Sequence, residues 1–159
     1  MSTMTSPTRR EVHYDSLNDF RADAERLART TVRTVGNWTY PQILDHLAKS
    51  ITASFDGYGF KAPWWARVFI APVVKNSMLT KTMRPGFRLP RSAAAFLPNN
   101  DVTLSTALEN LHSALARYEK EPQRAPHPFL GMLASQEYTM LHLRHGELHM
   151  SFVVPDETA

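Results

Sequence analysis

Apolar residues recur at helical spacing in two parts of this chain, about 16–56 and 103–152, while the segment between them, 57–100, cannot hold a long helix. Pro63, Pro72, Pro85, Pro90 and Pro98 fall in that segment, five of the 11 prolines in the chain. Each lacks a backbone donor and crowds the preceding turn. The pattern therefore predicts two helical pairs joined by a long connection. In the first pair, Leu17, Phe20, Ala24, Leu27, Ala28 and Thr31 mark one face of a helix over about 16–34, with Ser16 as cap, Asp19 three residues on and Gly36 as stop. Thr39, Pro41 and Gln42 then open a second helix, Ile43, Leu47, Ile51 and Phe55 repeat along it, and Gly57 closes it. A link this short makes the two helices antiparallel neighbours.

Beyond the gap, Leu104, Leu108, Leu111, Leu115 and Tyr118 share a face of a third helix, about 103–121, which Pro122 stops. Ser135 reads as the cap of a fourth, about 135–152, whose inner stripe is Tyr138, Leu141, His145, Leu148, His149 and Phe152. Within the gap, PWWARVFIAPVVKNSML predicts a short helix or two interrupted at Pro72, and residues 80–100 read as extended or irregular. No alternating strand pattern exceeds four residues, and no repeat is present. The expected fold is all-α, a four-helix bundle. It spans 13–154 as one domain, between a flexible N-terminus, 1–12, and a short tail, 155–159.

The chain has no cysteine, which excludes disulfides, thiolate metal sites and a cysteine nucleophile. Its 43% hydrophobic and 21% charged content is that of a globular protein. The most apolar stretch is uncharged only from Val68 to Val74, too short to span a bilayer, and residues 1–15 have no apolar core of a secretory signal. A soluble cytoplasmic protein is expected. The net charge of +3 hides an asymmetry. Between Gly57 and Asn100 stand Lys61, Arg67, Lys75, Lys81, Arg84, Arg88 and Arg91, with no acid. Such a segment could meet an anionic ligand, a nucleic acid or a membrane surface, or could simply be a solvated connection. No nucleic-acid fold signature accompanies it.

Seven histidines stand in the chain. His145 and His149 are one turn apart and both lie inside the apolar stripe of the fourth helix. His46, flanked by Ile43, Leu44 and Leu47 on the second helix, lies about as far from that helix's start as the pair lies from the end of the fourth, roughly 5–11 Å. If the two helices run antiparallel the three imidazoles come level. Three nitrogen donors with an open position are the makeup of a catalytic zinc or nickel site, and interior histidines satisfied by hydrogen bonds alone fit the same pattern. His142, about 20° around the helix from His149, could replace a ligand, sit behind the site or merely pack beneath it. His112 reads as a boundary residue, and His13 and His127 lie in irregular segments. Glu147 points about 200° away from His145, and Asp45 lies about 100° around from His46, so no carboxylate is placed as a base.

Four stretches carry a resemblance: GNWTYPQILDHLAKSITASFDGYGF at 36–60, MRPGFRLP at 83–90, HPFLGMLASQEY at 127–138 and LHLRHGELHMSF at 141–152. With the first helix they make the chain resemble, from about residue 12, the DinB/YfiT-like superfamily of metal-binding four-helix bundles, in a branch of mostly uncharacterised proteins. The resemblance implies an up-down-down-up bundle with a long crossover between helices two and three. It implies ligation by His46, His145 and His149, and an activity like that of the superfamily's thiol-dependent transferases and isomerase, in which a divalent metal activates a low-molecular-weight thiol. It also implies a homodimer.

Two functions follow as expectations. In one, the three histidines hold a metal that activates a thiol or water against an electrophile, with segment 57–100 as roof. Trp64, Trp65 and Phe87 would then be its apolar wall, unless they fill the core, and Arg84 or Arg88 would meet an anionic group of a small-molecule substrate. In the other, the bundle is a non-catalytic binding or stress-response module whose metal is structural or absent. Neither membrane insertion nor nucleic-acid binding is expected.

Overall fold

The computed structural model describes residues 8–156, and these are mostly helical. Helix α1 spans Leu17–Ala28. The Ser16 hydroxyl accepts from the Asp19 N–H at 3.1 Å while the Asp19 carboxylate accepts from the Ser16 N–H at 2.8 Å, so two otherwise orphaned donors are satisfied reciprocally. The helix ends six residues earlier than its apolar spacing predicts. Thr30, Thr31, Val32, Thr34 and Val35 are β-branched and stiff at χ1, and an edge is available to them. Strand β1, Val32–Thr34, pairs antiparallel with β2, Val153–Pro155, joining Thr34 to Val153 and Val32 to Pro155. Thr31 thus lies beyond the helix, and its carbonyl accepts from Asp156. Three-residue strands are too short to show alternation in the sequence.

Helix α2, Tyr40–Asp56, has the expected Thr39–Gln42 capping box with proline in its first turn, and Gly57 ends it at a positive φ. Ile43, Leu44, Leu47 and Ile51 are all but fully buried. Just before it, Gly36 allows a close approach: a Cβ there would come 2.9 Å from the Phe152 ring. Pro72 does not interrupt the connection as expected. A wide π-turn, Ala66–Ile70, precedes α3, Ala71–Thr80, and the Ala71 N–H reaches back to the Ala66 carbonyl. The proline then falls in the first turn of α3, where no donor is required of it. Residues 81–90 are irregular, Arg91–Phe96 form a 3₁₀ turn, and α4 follows over Leu104–Lys120.

Helix α5 spans Ser135–Met150. Ser135 is not its cap. Ala134 holds that position, its N–H bonded to Glu137 at 2.9 Å, and the Ser135 hydroxyl instead donates to the Pro122 carbonyl. One apolar core draws on α1, α2, α4 and α5, with Phe20, Leu27, Leu44, Leu47, Leu111, Leu115, Tyr138 and Met150 essentially inaccessible to solvent. Burial of each such side chain contributes about 1.5–3 kcal/mol. No helix among the described residues is long and apolar enough to cross a membrane.

Residues 1–7 and 157–159 of the expected flexible ends lie outside the described residues. Arg10, inside the stretch expected to be flexible, is instead firmly held. Its N–H bonds to Ser151 O, its Nε to Val153 O at 2.6 Å, and its guanidinium to the Asp23 carboxylate at 2.8 Å. Tyr14 donates to the same carboxylate. Arginine is suited to this post because its fork serves a carboxylate and carbonyls at once. Arg10→Ala is therefore expected to lower unfolding free energy by about 2–3 kcal/mol, with Arg10→Lys recovering less than half. Urea unfolding of the three proteins checks it, and a change under 0.5 kcal/mol would show the cluster to be ornamental.

Candidate metal centre

His46 sits in the second turn of α2, and His145 and His149 lie in the last two turns of α5. The His46 Nδ1–H donates to the Phe96 carbonyl at 2.6 Å. That bond fixes the ring's tautomer and turns the Nε2 lone pair away, to within 3.2 Å of His145 Nε2. Each of the three histidines offers a ring nitrogen, and no two of these are more than 4.8 Å apart. Ring centroids are 4.7–5.0 Å apart, with planes crossed at 66° to 81°. Nitrogens about 2.0–2.1 Å from a tetrahedral zinc are separated by roughly 3.3 Å, so the closest pair already has that spacing and a modest ring rotation closes the rest. The cluster could hold a metal ion.

The electrostatics agree with a ligand role. Burial pushes all three imidazoles toward the neutral form, the one that binds metal: His46 is lowered, His145 is lowered well below the ordinary range, and His149 falls to about 3, its neighbour His46 adding to the effect. Trp38 covers one side, stacked on His149 with ring centroids 5.5 Å apart and tilted against His46 at 4.9 Å.

A protein family of unknown function, DUF1569, matches residues 6–156. The chain belongs to this family. No curated protein and no solved structure matches it. The family's description names no activity, so the chemistry of this DUF1569 chain rests on its residues.

The three histidines open into a cleft of about 1350 Å³ under the connection between α2 and α4. Arg84, Phe87 and Arg88 line it. Trp64 and Trp65 do not. They are 68% and 51% exposed on the outward face ahead of the π-turn, neither pocket wall nor core, because the wide turn directs Ala66 inward instead. Phe87, though on the cleft, is 83% exposed, so it too fills no core. His142 lines the cleft outside the triad. It is buried, stacked on Tyr138, edge-on to Tyr118, and its Nε2 has no partner among the described residues. Glu147 lies outside the cleft, toward the segment that precedes α1. One of its oxygens accepts from the Tyr14 N–H at 2.7 Å and pairs with Arg144 and His13. Asp45 is buried and binds Lys49 and the Asn99 N–H. His112 lies beside Glu25 at 3.1 Å, half-exposed.

Sequence spacing gave no weight to His127, yet it lines the cleft. Its Nδ1 accepts from the backbone N–H groups of Phe129 and Leu130, at 3.2 and 3.0 Å, inside a turn closed by mutual His127–Gly131 backbone bonds. The neutral ring must therefore carry its proton on Nε2. A His-Pro followed by Gly within a loop was the available signal, since such a turn can cap an imidazole.

Burial holds His127 near a pKa of about 4 and His142 near about 3. An unfolded histidine takes up its proton near 6.5. Metal-free protein should therefore keep its full stability above that value and lose it as pH falls, each histidine kept neutral in the fold costing about 1.4 kcal/mol per pH unit until it titrates. His142→Phe should make the decline shallower by about that slope and leave metal affinity within roughly twofold. Urea unfolding between pH 7 and 5 measures both slopes; a flat profile would contradict the buried neutral state.

Proposed function

We propose that this chain is a metal-dependent enzyme of the DinB/YfiT-like type, with α1, α2, α4 and α5 as an up-down-down-up bundle and 57–100 as its crossover. The contacts at the helix ends favour this order. Tyr40, opening α2, bonds the Ala24 carbonyl late in α1; Arg21 and Glu25 of α1 meet Glu119 and His112 of α4; Asp56 and Arg117 join the last turns of α2 and α4. Trp38, just ahead of α2, stacks on His149 at the end of α5. Antiparallel α1–α2, α1–α4 and α2–α5 pairs with a parallel α2–α4 pair satisfy all of these.

The observation that carries the functional reading is the convergence of His46, His145 and His149, with His46 clamped by the Phe96 carbonyl. Zinc or nickel held by these nitrogens supplies an open coordination position and lowers the pKa of a bound thiol or water. The protein's own part is to keep the three rings neutral, to aim the His46 lone pair, and to screen one side with Trp38. Among the described residues no carboxylate lines the cleft, so no side-chain base of that kind is offered to water. A low-molecular-weight thiol, far more acidic than water, needs less assistance, which favours S-transfer over hydrolysis. The protein would work in the cytoplasm as a homodimer on a small-molecule substrate.

Protein purified without chelator should carry close to one divalent metal per chain. His46→Ala and His149→Ala should each lower metal affinity at least about 100-fold while remaining folded. Metal analysis with a competition titration checks this. Protein that takes up neither zinc nor nickel would return the bundle to a non-catalytic binding role.

A further inference from the structure

The cleft has an unusual charge composition. Its charged lining residues are Lys61, Lys81, Arg84 and Arg88, with no aspartate or glutamate among them. Among the described residues none of these four side chains forms an ion pair or a hydrogen bond, although most basic side chains elsewhere do: Arg10, Arg21, Arg117 and Arg144 all meet carboxylates. All four are exposed, so they stand at the mouth, on the stretch between Gly57 and Asn100 that carries no acid at all. Inside the mouth the walls are apolar and aromatic, with Trp38, Tyr58, Phe60, Phe129 and Leu141 among them. His127 belongs to the same lining, its Nδ1 held by the Phe129 and Leu130 N–H groups.

We infer that the ligand of this cleft is an organic anion with a bulky apolar body. Its charged group is met by Arg84 and Arg88 at the mouth, and its body lies against the apolar and aromatic wall. The chemistry on both sides matches. A cation-only rim attracts anions and repels cations, guanidinium groups suit carboxylates, sulfonates and phosphates, and the cleft's predominantly apolar wall takes up the rest of the molecule. The inference rests on the proposed catalytic reading for what then happens to the ligand, but not for its binding, which needs no metal.

The test uses metal-free protein and two fluorescent probes of one skeleton, anilinonaphthalene sulfonate and its uncharged parent phenylnaphthylamine. The sulfonate should bind about tenfold more tightly than the parent at low ionic strength, and that preference should shrink as salt is added. R84Q/R88Q should weaken the sulfonate about five- to twentyfold and leave the parent unchanged, since two exposed charge contacts are removed and no wall is. W64A/F69A, on the outward aromatic face beyond the cleft, should change neither. Circular dichroism confirms the fold of every variant. Equal affinity for the two probes would overturn the inference, as would sulfonate binding that survives R84Q/R88Q or disappears in W64A/F69A. Because no metal is present, failure here leaves the metal centre standing, and a failed metal titration leaves this result standing.

Discussion

A neutral imidazole buried in a helical core needs a partner for a donor and another for an acceptor, and a helix interior offers few. Much of this structure follows from meeting that need at His46, which also faces the rings of His145 and His149. His46 could not stand among Ile43, Leu44 and Leu47 without the Phe96 carbonyl, and that carbonyl comes from the far end of the connection. The connection must therefore return to α2 before α4 can begin. It is fastened there by Lys49 to the Leu97 carbonyl, by Asp45 to the Asn99 N–H, and by packing of Phe96 and Ala93 against Ala53. The same constraint gives the cleft its roof: residues 57–100 are pinned at both ends to the helix that supplies the first ligand.

Helix α5 carries the complementary burden, with polar groups buried on two faces. His142, His145 and His149 look toward the cleft, while one oxygen of the buried Glu147 accepts from the Tyr14 N–H and pairs with Arg144. A buried carboxylate depends on such donors. The N-terminal segment supplies one of them, and Arg10 joins it to Asp23 and to the carbonyls of Met150 and Val153. The segment before α1 therefore helps fix the end of α5 that bears His149. Residues 10–14 and the β1–β2 ribbon are thus tied by hydrogen bonds to the end of the helix that carries the candidate ligands.

The sequence made most of this legible where a local signal sufficed. The capping boxes at Ser16 and Thr39 have the same donors in the structure as in the sequence, and Gly57 and Pro122 stop α2 and α4. The histidines of the triad could be picked because they interrupt apolar stripes. What was not legible depended on distant partners. Residues 30–35 look like the tail of a helix until Val153–Pro155 lies beside them. Pro72 reads as an interruption until a π-turn precedes it. His127 has no helical period to recommend it, and only its turn fixes the tautomer of its ring. Trp64 and Trp65 illustrate the opposite limit: their size argued for burial or a pocket wall, but a side chain's direction across an irregular turn is not encoded in its neighbours' spacing.

Charge then connects the centre to the cleft around it. Three neutral imidazoles do nothing to offset the charge of a divalent ion, unlike a site that includes a carboxylate. A centre of this composition keeps its full positive field, and in a desolvated pocket that field favours an anionic fourth partner such as a thiolate. The surrounding lining does not dilute the preference, because it contains cations and no carboxylate. Glu147 and Asp45, the buried carboxylates on these helices, do not line the cleft and bind the Tyr14 N–H with Arg144, and Lys49 with the Asn99 N–H. Among the described residues no acid in the lining competes with an incoming anion. Adding one, for instance at Ser50 on the cleft wall, would offset the field there and weaken anion entry.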